Sequence, residues 1–212
     1  MNILNIYEQY DIPENLQLHM LRVAAVGKII CDNSTSQVID ADLIIKTLLL
    51  HDMGNIIKFN FKNTSMFAPE DSEKVESYKV TQENFIRKYG NDADKATLQI
   101  VKEISSDDQI AQLCENSHGE AMHKYNDGDF WHEKICYYSD MRIGLHGILS
   151  VDQRFEDLKK RYPHEKNELE RYHQECKIIE QQIQKMCALD LESINDELIE
   201  KQFDALDLIN IN

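Results

Sequence analysis

The sequence predicts an all-α protein. Glycine and proline are scarce, with 7 and 3 occurrences in 212 residues, and long stretches carry apolar residues at helical spacing. The alternating runs of valine, isoleucine and threonine that indicate strands do not occur. The length suits one domain with a buried core. We expect a main domain at residues 1–162 and a helical extension at 163–212, packed on that domain or at a homodimer interface.

Residues typical of helix ends predict where helices begin and end in the first half of the chain. Pro13 lies at the start of a first long helix that runs to about residue 31. Asp40 or Asp42 caps the second helix, and Gly54 is expected to end it. Three further helices are predicted at about 72–89, from Asp92 or Asp94 to 104, and at 107–114.

The second half continues the helical pattern. A helix is predicted at 130–142. Ser150 and Gln153 have the spacing of a capping box, which predicts the start of the next helix, ending at residue 161. Two amphipathic helices are then expected at about 164–187 and 194–209.

Composition limits the classes of function. The formal net charge of −15 disfavours binding to DNA or RNA, because an acidic surface repels phosphate backbones. A small phosphorylated substrate stays compatible, since a metal ion and a few arginines can set the local field. The sequence contains no bilayer-spanning apolar stretch and no signal-peptide pattern. Five scattered cysteines without C-x-x-C spacing predict reduced thiols and a cytoplasmic location.

An ionisable pair, His51-Asp52, ends the most apolar segment of the chain, residues 43–50. Such a pair is costly in a protein interior unless something compensates it. Imidazole nitrogen and carboxylate oxygen both suit a divalent transition metal. The alternative is a helix C-terminus that carries a dipole-stabilised histidine and a solvated aspartate.

Two further residues are candidates for the same site. His19 falls on the apolar face of the first helix, where a histidine is either a hydrogen-bonded core residue or a ligand. Asp140 interrupts an apolar and aromatic helix and therefore needs a partner. That partner is Arg142, a backbone amide or a metal ion.

The order of these residues, H…HD…D, resembles the HD-domain superfamily of metal-dependent phosphohydrolases. The flanking residues are also similar to the family's motifs. Residues 19–24 resemble its H-x-x-R-V-A opening, residues 49–54 its L-L-H-D-x-G core, and residues 138–162 its closing segment of A-D-x-R, a G-I-V-S-hydrophobic-acid-x-R run and a terminal R-Y.

The resemblance implies an orthogonal helical bundle with one divalent metal. Its ligands would be His19, His51, Asp52 and Asp140, and manganese, iron, cobalt or nickel would suit them, with magnesium as a further candidate. Relatives with two metals use extra histidines between the HD pair and the last aspartate. His118 and then His123 are the candidates here.

The resemblance also implies hydrolysis of a phosphoester or phosphoanhydride in a small nucleotide-like substrate. A metal-activated water would attack, oriented by Asp52 or Asp140. Arg22 and Arg142 would bind the phosphate oxygens. Many relatives have a lysine or glutamate at the position of Asn55; Lys58, from the next turn, is a substitute for catalysis or substrate binding.

Two other functions fit the same fold. A di-iron oxygenase would need further histidines near the site. A non-catalytic regulatory or scaffold module would keep the helices, but members of that type usually lose the metal ligands. The segment at residues 55–71 is either a loop across the mouth of the site or a plain surface connection.

Overall fold

The computed structural model describes residues 1–61, 74–117 and 123–211. These residues form helices joined by turns and, apart from isolated bridges, contain no β-strand, which confirms the all-α prediction. The helices are α1 (Ile3–Gln9), α2 (Glu14–Asp32), α3 (Ala41–Leu50), α4 (Val75–Tyr89), α5 (Ala93–Ile104), α6 (Asp108–Asn116), α7 (Trp131–Met141), α8 (Val151–Arg161), α9 (Lys166–Met186), α10 (Asp196–Glu200) and α11 (Phe203–Asp207), with 3-10 turns at Asn55–Lys58, Pro163–Glu165 and Leu191–Ser193.

Helix α3 is the centre of the bundle. It packs along α2 and also contacts α6 and α7. Its apolar side chains, Leu48 among them, are almost completely buried. The contact with α2 is close, because a β-carbon on Gly27 would collide with the Leu48 side chain and lie 3.4 Å from Ser139 Oγ of α7. Helices α2, α3 and α7 therefore meet at short distances.

The predicted caps define where the helices begin. Asp40, rather than Asp42, caps α3 by accepting a 3.0 Å hydrogen bond from the amide three residues on. Asp92 caps α5 in the same way at 3.1 Å. Ser150 and Gln153 form the predicted capping box of α8, with reciprocal hydrogen bonds of 3.2 and 3.0 Å. The direction in which α8 leaves the preceding turn is thus set locally.

Both ends of the chain differ from the prediction. Helix α1 was not predicted, although Asn2 caps it and Ile3, Ile6 and Tyr7 are buried at helical spacing. The single helix expected at 194–209 is two short ones, α10 and α11. The segment is tied to the N-terminus by the Ile3 amide, which donates to the Ile209 carbonyl at 3.0 Å. Because the chain must return to the first residues, it cannot continue as one straight helix.

The C-terminal helices pack on the rest of the chain. Helix α9 contacts α7 and α8, whereas α10 and α11 contact α2. The domain boundary at residue 162 and the homodimer stay predictions. None of the helices in the described ranges is both long and apolar enough to cross a membrane. All five cysteines have free thiols in this structure.

Gly54 has a different role from the one predicted. Helix α3 ends earlier, at Leu50, and Gly54 has an ordinary right-handed conformation with φ of −89°. Its amide donates a 2.9 Å hydrogen bond to Thr97 Oγ1. A β-carbon at this position would lie 2.7 Å from Thr97 N and collide with the Ala93 carbonyl oxygen. Gly54 therefore allows the start of α5 to approach the turn that follows His51-Asp52.

We expect Gly54→Ala to lower the free energy of unfolding by about 1–3 kcal/mol, the usual cost of overpacking a core. The backbone of α5, which cannot yield as a side chain would, has to move away. Thermal denaturation followed by circular dichroism measures the effect. Gln99→Ala, on the exposed face of α5, is the control and should melt as the parent does. Equal melting of the two variants would contradict the close-approach role.

Candidate metal centre

His19 comes from the middle of α2 and points toward two carboxylates. The neighbouring Met20 and Val23 are fully buried, which fixes the face of the helix that carries the ring. His19 Nε2 lies 3.2 Å from Asp140 Oδ1 and 3.4 Å from Asp52 Oδ2. The ring is therefore not a core histidine bonded to its own helix. It joins residues from two other parts of the chain.

His51 follows directly after the last residue of α3. Its Nδ1 lies 2.6 Å from the Leu48 carbonyl oxygen. A carbonyl only accepts, so Nδ1 carries a proton, and Nε2 is the nitrogen that faces the site. This Nε2 is buried and has no hydrogen-bond partner among the described residues. It lies 3.7 Å from Asp52 Oδ2 and 3.8 Å from Asp140 Oδ1.

Asp140 lies in the last turn of α7 and completes the group. Its side chain is 29% exposed, compared with 17% for Asp52 and 12% for His51. Instead of Arg142 or a backbone amide, the structure places the two imidazoles next to Asp140. A carboxylate that is buried on a largely apolar helix is compensated here by groups on other helices.

The separations suit ligands of a single ion. The ligand atoms of His19, His51 and Asp140 all lie within 4.8 Å of one another, and Asp52 Oδ2 lies 3.4 and 3.7 Å from the two imidazole nitrogens. Ligands at about 2.1 Å from one ion are separated by about 3 Å when adjacent and about 4 Å when opposite. The unpartnered Nε2 of His51 is the atom that an ion would satisfy.

Without an ion, the two imidazoles hold protons strongly and the two carboxylates lose them readily. Burial lowers the pKa of His19, but hydrogen bonds to Asp140 and Asp52 outweigh burial and raise it to about 9. Burial raises the pKa of Asp52, but the charges of His51 and His19 lower it to about 2. The pKa of Asp140 lies well below its usual range for the same reason. The carboxylates stay charged, and a cation would have to displace protons from the imidazoles.

Arg22 and Lys58, which were also expected to act at the site, differ in whether they already bind another side chain. Arg22, one turn after His19, is partly exposed and makes no hydrogen bond or ion pair with the described residues. Lys58 donates to Asp94 Oδ1 at 2.8 Å, and its side chain is 58% exposed. Burial lowers the pKa of Lys58, and Asp94, with a smaller effect from Asp52, raises it overall. Lys58 is therefore near the site but already paired.

The environment of Arg142 argues against the expectation that it binds the substrate. It is only 3% exposed. Its Nε donates to the Leu149 carbonyl at 2.6 Å, and one terminal nitrogen donates to Tyr138 Oη at 2.6 Å and to the Leu191 carbonyl at 2.9 Å. The guanidinium group holds the segment after α9 to the end of α7. Its Nε and one terminal nitrogen are therefore occupied by acceptors of the protein itself.

The second-metal candidates receive no support from the described residues. His118 lies outside them. His123 is exposed and does not belong to the cluster. In the ranges 1–61, 74–117 and 123–211, no other group of three potential ligands lies this close together.

The predicted loop at residues 55–71 is described only at its beginning. It starts with the 3-10 turn Asn55–Lys58, and residues 62–71 lie outside the described chain. Gln82 of α4 donates to the carbonyls of Ile56, Ile57 and Phe59 at 2.9, 3.2 and 3.0 Å. The first part of the segment is thus held against α4.

Arg154 was missed as a site residue. It lies on α8, is 9% exposed, and its Nε is buried without an acceptor among the described residues. Burial lowers the pKa of Arg154, and the charges of Asp140 and Asp52 oppose this effect. Arg154 is the arginine of the x-R run in the closing motif, which could have indicated it. The sequence alone does not show which arginines hydrogen-bond within the fold.

Comparison with known proteins identifies the family. The family model described as HD domain matches residues 17–191. This match contains all four residues of the cluster and extends beyond the predicted domain boundary at residue 162. No curated protein and no solved structure matches the chain. The match covers most of the 212 residues, and the chain therefore belongs to the HD domain family, whose members are generally metal-dependent phosphohydrolases.

Proposed function

We propose that this protein is a metal-dependent phosphohydrolase that acts on a small, nucleotide-like phosphorylated substrate. The observation that carries the proposal is the convergence of His19, the adjacent pair His51-Asp52 and Asp140 from three separate parts of the sequence, with each imidazole Nε2 at 3.2–3.8 Å from an oxygen of each carboxylate. Two imidazoles and two carboxylates are a ligand set for manganese, iron, cobalt or nickel.

The chain's own groups have distinct tasks in the proposed reaction. A divalent ion held by the four side chains would lower the pKa of a bound water and polarise a phosphoryl oxygen. Asp52 turns Oδ2 toward both histidines, which leaves Oδ1 to accept a hydrogen bond from the attacking water. The hydrogen bond between His51 Nδ1 and the Leu48 carbonyl keeps the ring orientation fixed through the reaction.

Arg22 is proposed to bind the phosphoryl oxygens. It is one helical turn from His19 and therefore projects from nearly the same side of α2. A guanidinium group that makes no hydrogen bond with the described residues can donate two parallel bonds to a phosphate. Since the protein has a net charge of −15, local cations of this kind are needed to attract an anionic substrate.

We expect His51→Ala and Asp140→Ala to lose bound metal, with affinity reduced by more than about hundredfold, because changes in residues that only support ligands already cost 10–100-fold. Metal content of protein purified without a histidine tag is measured by mass spectrometry. His146→Ala, which removes an exposed histidine, is the matched control and should retain metal. Retention of one metal per chain in both cluster variants would contradict the ligand assignment.

Removal of the metal should make stability depend on pH. His19 has a pKa of about 9 in the metal-free fold, above its ordinary value of 6.5. The contribution of His19 to the free energy of unfolding is therefore fully present below about pH 6.5 and is lost as the pH rises through 9. We expect the melting temperature of metal-free protein to fall by several degrees between pH 6.5 and 9.5. Metal-loaded protein, in which the ion replaces the proton, should show a smaller fall. Parallel pH profiles of the two forms would contradict this coupling.

Hydrolysis itself is tested with a panel of nucleotides, with Mn²⁺ or Co²⁺ added and phosphate release as the measurement. We expect turnover by the parent and by His146→Ala, loss of turnover in Asp140→Ala, and a kcat/KM at least about tenfold lower in Arg22→Ala. Metal binding without phosphate release from any member would contradict the proposal. Two irons per chain with oxygen consumption would favour the oxygenase. A protein with neither bound metal nor turnover would favour the scaffold.

A further inference from the structure

Helix α8 carries two arginines on one side. Arg154, Asp157 and Arg161 occur at positions i, i+3 and i+7, and residues at this spacing share a helix face. The capping box at Ser150 sets the start of the helix, and the fully buried Val151 holds its first turn in the core. The position of this face is thus fixed by the fold.

Arg154 is the inner member of the pair. It is 9% exposed, and its only ion pair in the described chain is with Asp157, whose Oδ2 is 3.6 Å from a terminal nitrogen. That distance is too long for a hydrogen bond. The charges of Asp140 and Asp52 both act on the guanidinium group. A buried cation that makes no hydrogen bond with the described residues is costly, so the guanidinium group of Arg154 retains the capacity to bind an anion.

Arg161 is the outer member. Its side chain is 41% exposed, and a terminal nitrogen lies 2.7 Å from the same Oδ2 of Asp157. The same carboxylate oxygen is therefore within ion-pair distance of both arginines. Seven residues of α-helix rise about 10 Å, so the two arginines lie two turns apart on α8, and the charges of Asp140 and Asp52 act on Arg154, the inner one.

We propose that Arg154 and Arg161 form a binding site for a phosphoanhydride chain, so that the substrate carries two or more linked phosphates. This inference rests on the proposed hydrolase function and narrows its substrate class. Arg154 binds the phosphoryl group at the metal centre, and Arg161 binds the next phosphate along the chain. Asp157 is a positioning residue. A phosphomonoester would leave Arg161 without a ligand.

The reaction balances without a further reagent. A water oxygen bonds to the phosphorus at the metal centre, and the bridging P–O bond on its far side breaks. The second phosphate leaves with the electron pair of that bond, held by Arg161, and the proton of the water passes to solvent. The products are two phosphates or phosphate esters.

The test measures binding rather than turnover. Protein loaded with Mn²⁺ and freed of excess metal by gel filtration is titrated calorimetrically with inorganic phosphate and with tripolyphosphate. The metal content of the recovered protein shows whether the tripolyphosphate has removed the ion. We expect the parent to bind tripolyphosphate at least about tenfold more tightly than phosphate, since each guanidinium contact to a phosphate contributes about one such factor.

Single substitutions distinguish the contributions of Arg154 and Arg161 to ligand affinity. Arg161→Ala should lose the preference for tripolyphosphate and keep the parent's affinity for phosphate. Arg154→Ala should weaken both ligands by about tenfold or more. Arg154→Lys keeps the buried charge but loses the planar guanidinium group. If it melts at the parent's temperature, it should also bind both ligands about tenfold or more weakly. Arg171→Ala, which removes an exposed arginine of α9, is the control and should match the parent.

Each outcome decides the inference. Equal affinity of the parent for the two ligands, or an Arg161→Ala variant that behaves as Arg171→Ala, overturns the phosphoanhydride site and leaves the hydrolase proposal standing. Tripolyphosphate binding that depends on Arg161 in a protein without hydrolytic activity supports the site and overturns the hydrolase. A parent that binds neither metal nor tripolyphosphate overturns both.

Discussion

The structure depends on the compensation of two buried carboxylates by two imidazoles where α2, α3 and α7 meet. Asp52 and Asp140 are both largely shielded from water, and each lies 3.2–3.8 Å from the histidine nitrogens. Within the described part of the chain, no other cation forms an ion pair with either carboxylate. If one helix moved away, a charged group would remain buried without a counter-charge, which costs several kcal/mol. The cluster and the packing of the three helices therefore stabilise each other.

Close backbone packing is what brings these groups within range. Gly27 lets α2 approach Leu48 of α3, and Gly54 lets α5 approach the turn that contains Asp52. A methyl group at Gly54 would meet backbone atoms and force α5 away, and one at Gly27 would displace the Leu48 side chain. Ligand atoms separated by less than 4 Å tolerate little displacement. The scarcity of glycine in this chain makes these two positions more informative, because neither has the positive φ that would otherwise explain a glycine.

Local signals predicted much of the fold, because caps and apolar periodicity act over a few residues. Asp40, Asp92 and the box at Ser150 lie where the sequence indicated. The order of the ligands also indicated the cluster before any distance was known. Non-local partners could not be predicted in this way. Arg142 and Arg154 are both arginines near Asp140 in sequence, yet only Arg142 finds acceptors, on residues 149 and 191. The two short C-terminal helices likewise follow from pairing with the N-terminus.

The charges of the cluster explain how the fold accepts an ion and why its arginines remain available. With both imidazoles protonated, two positive charges face the two carboxylates. With a divalent ion and neutral imidazoles, the sum is the same, so exchange of two protons for one ion leaves the local balance unchanged. Asp52 and Asp140 then have no charge left to neutralise Arg154. Among the described residues Arg22 makes no ion pair and Arg154 makes only the 3.6 Å pair with Asp157, so both guanidinium groups can still bind an anionic ligand.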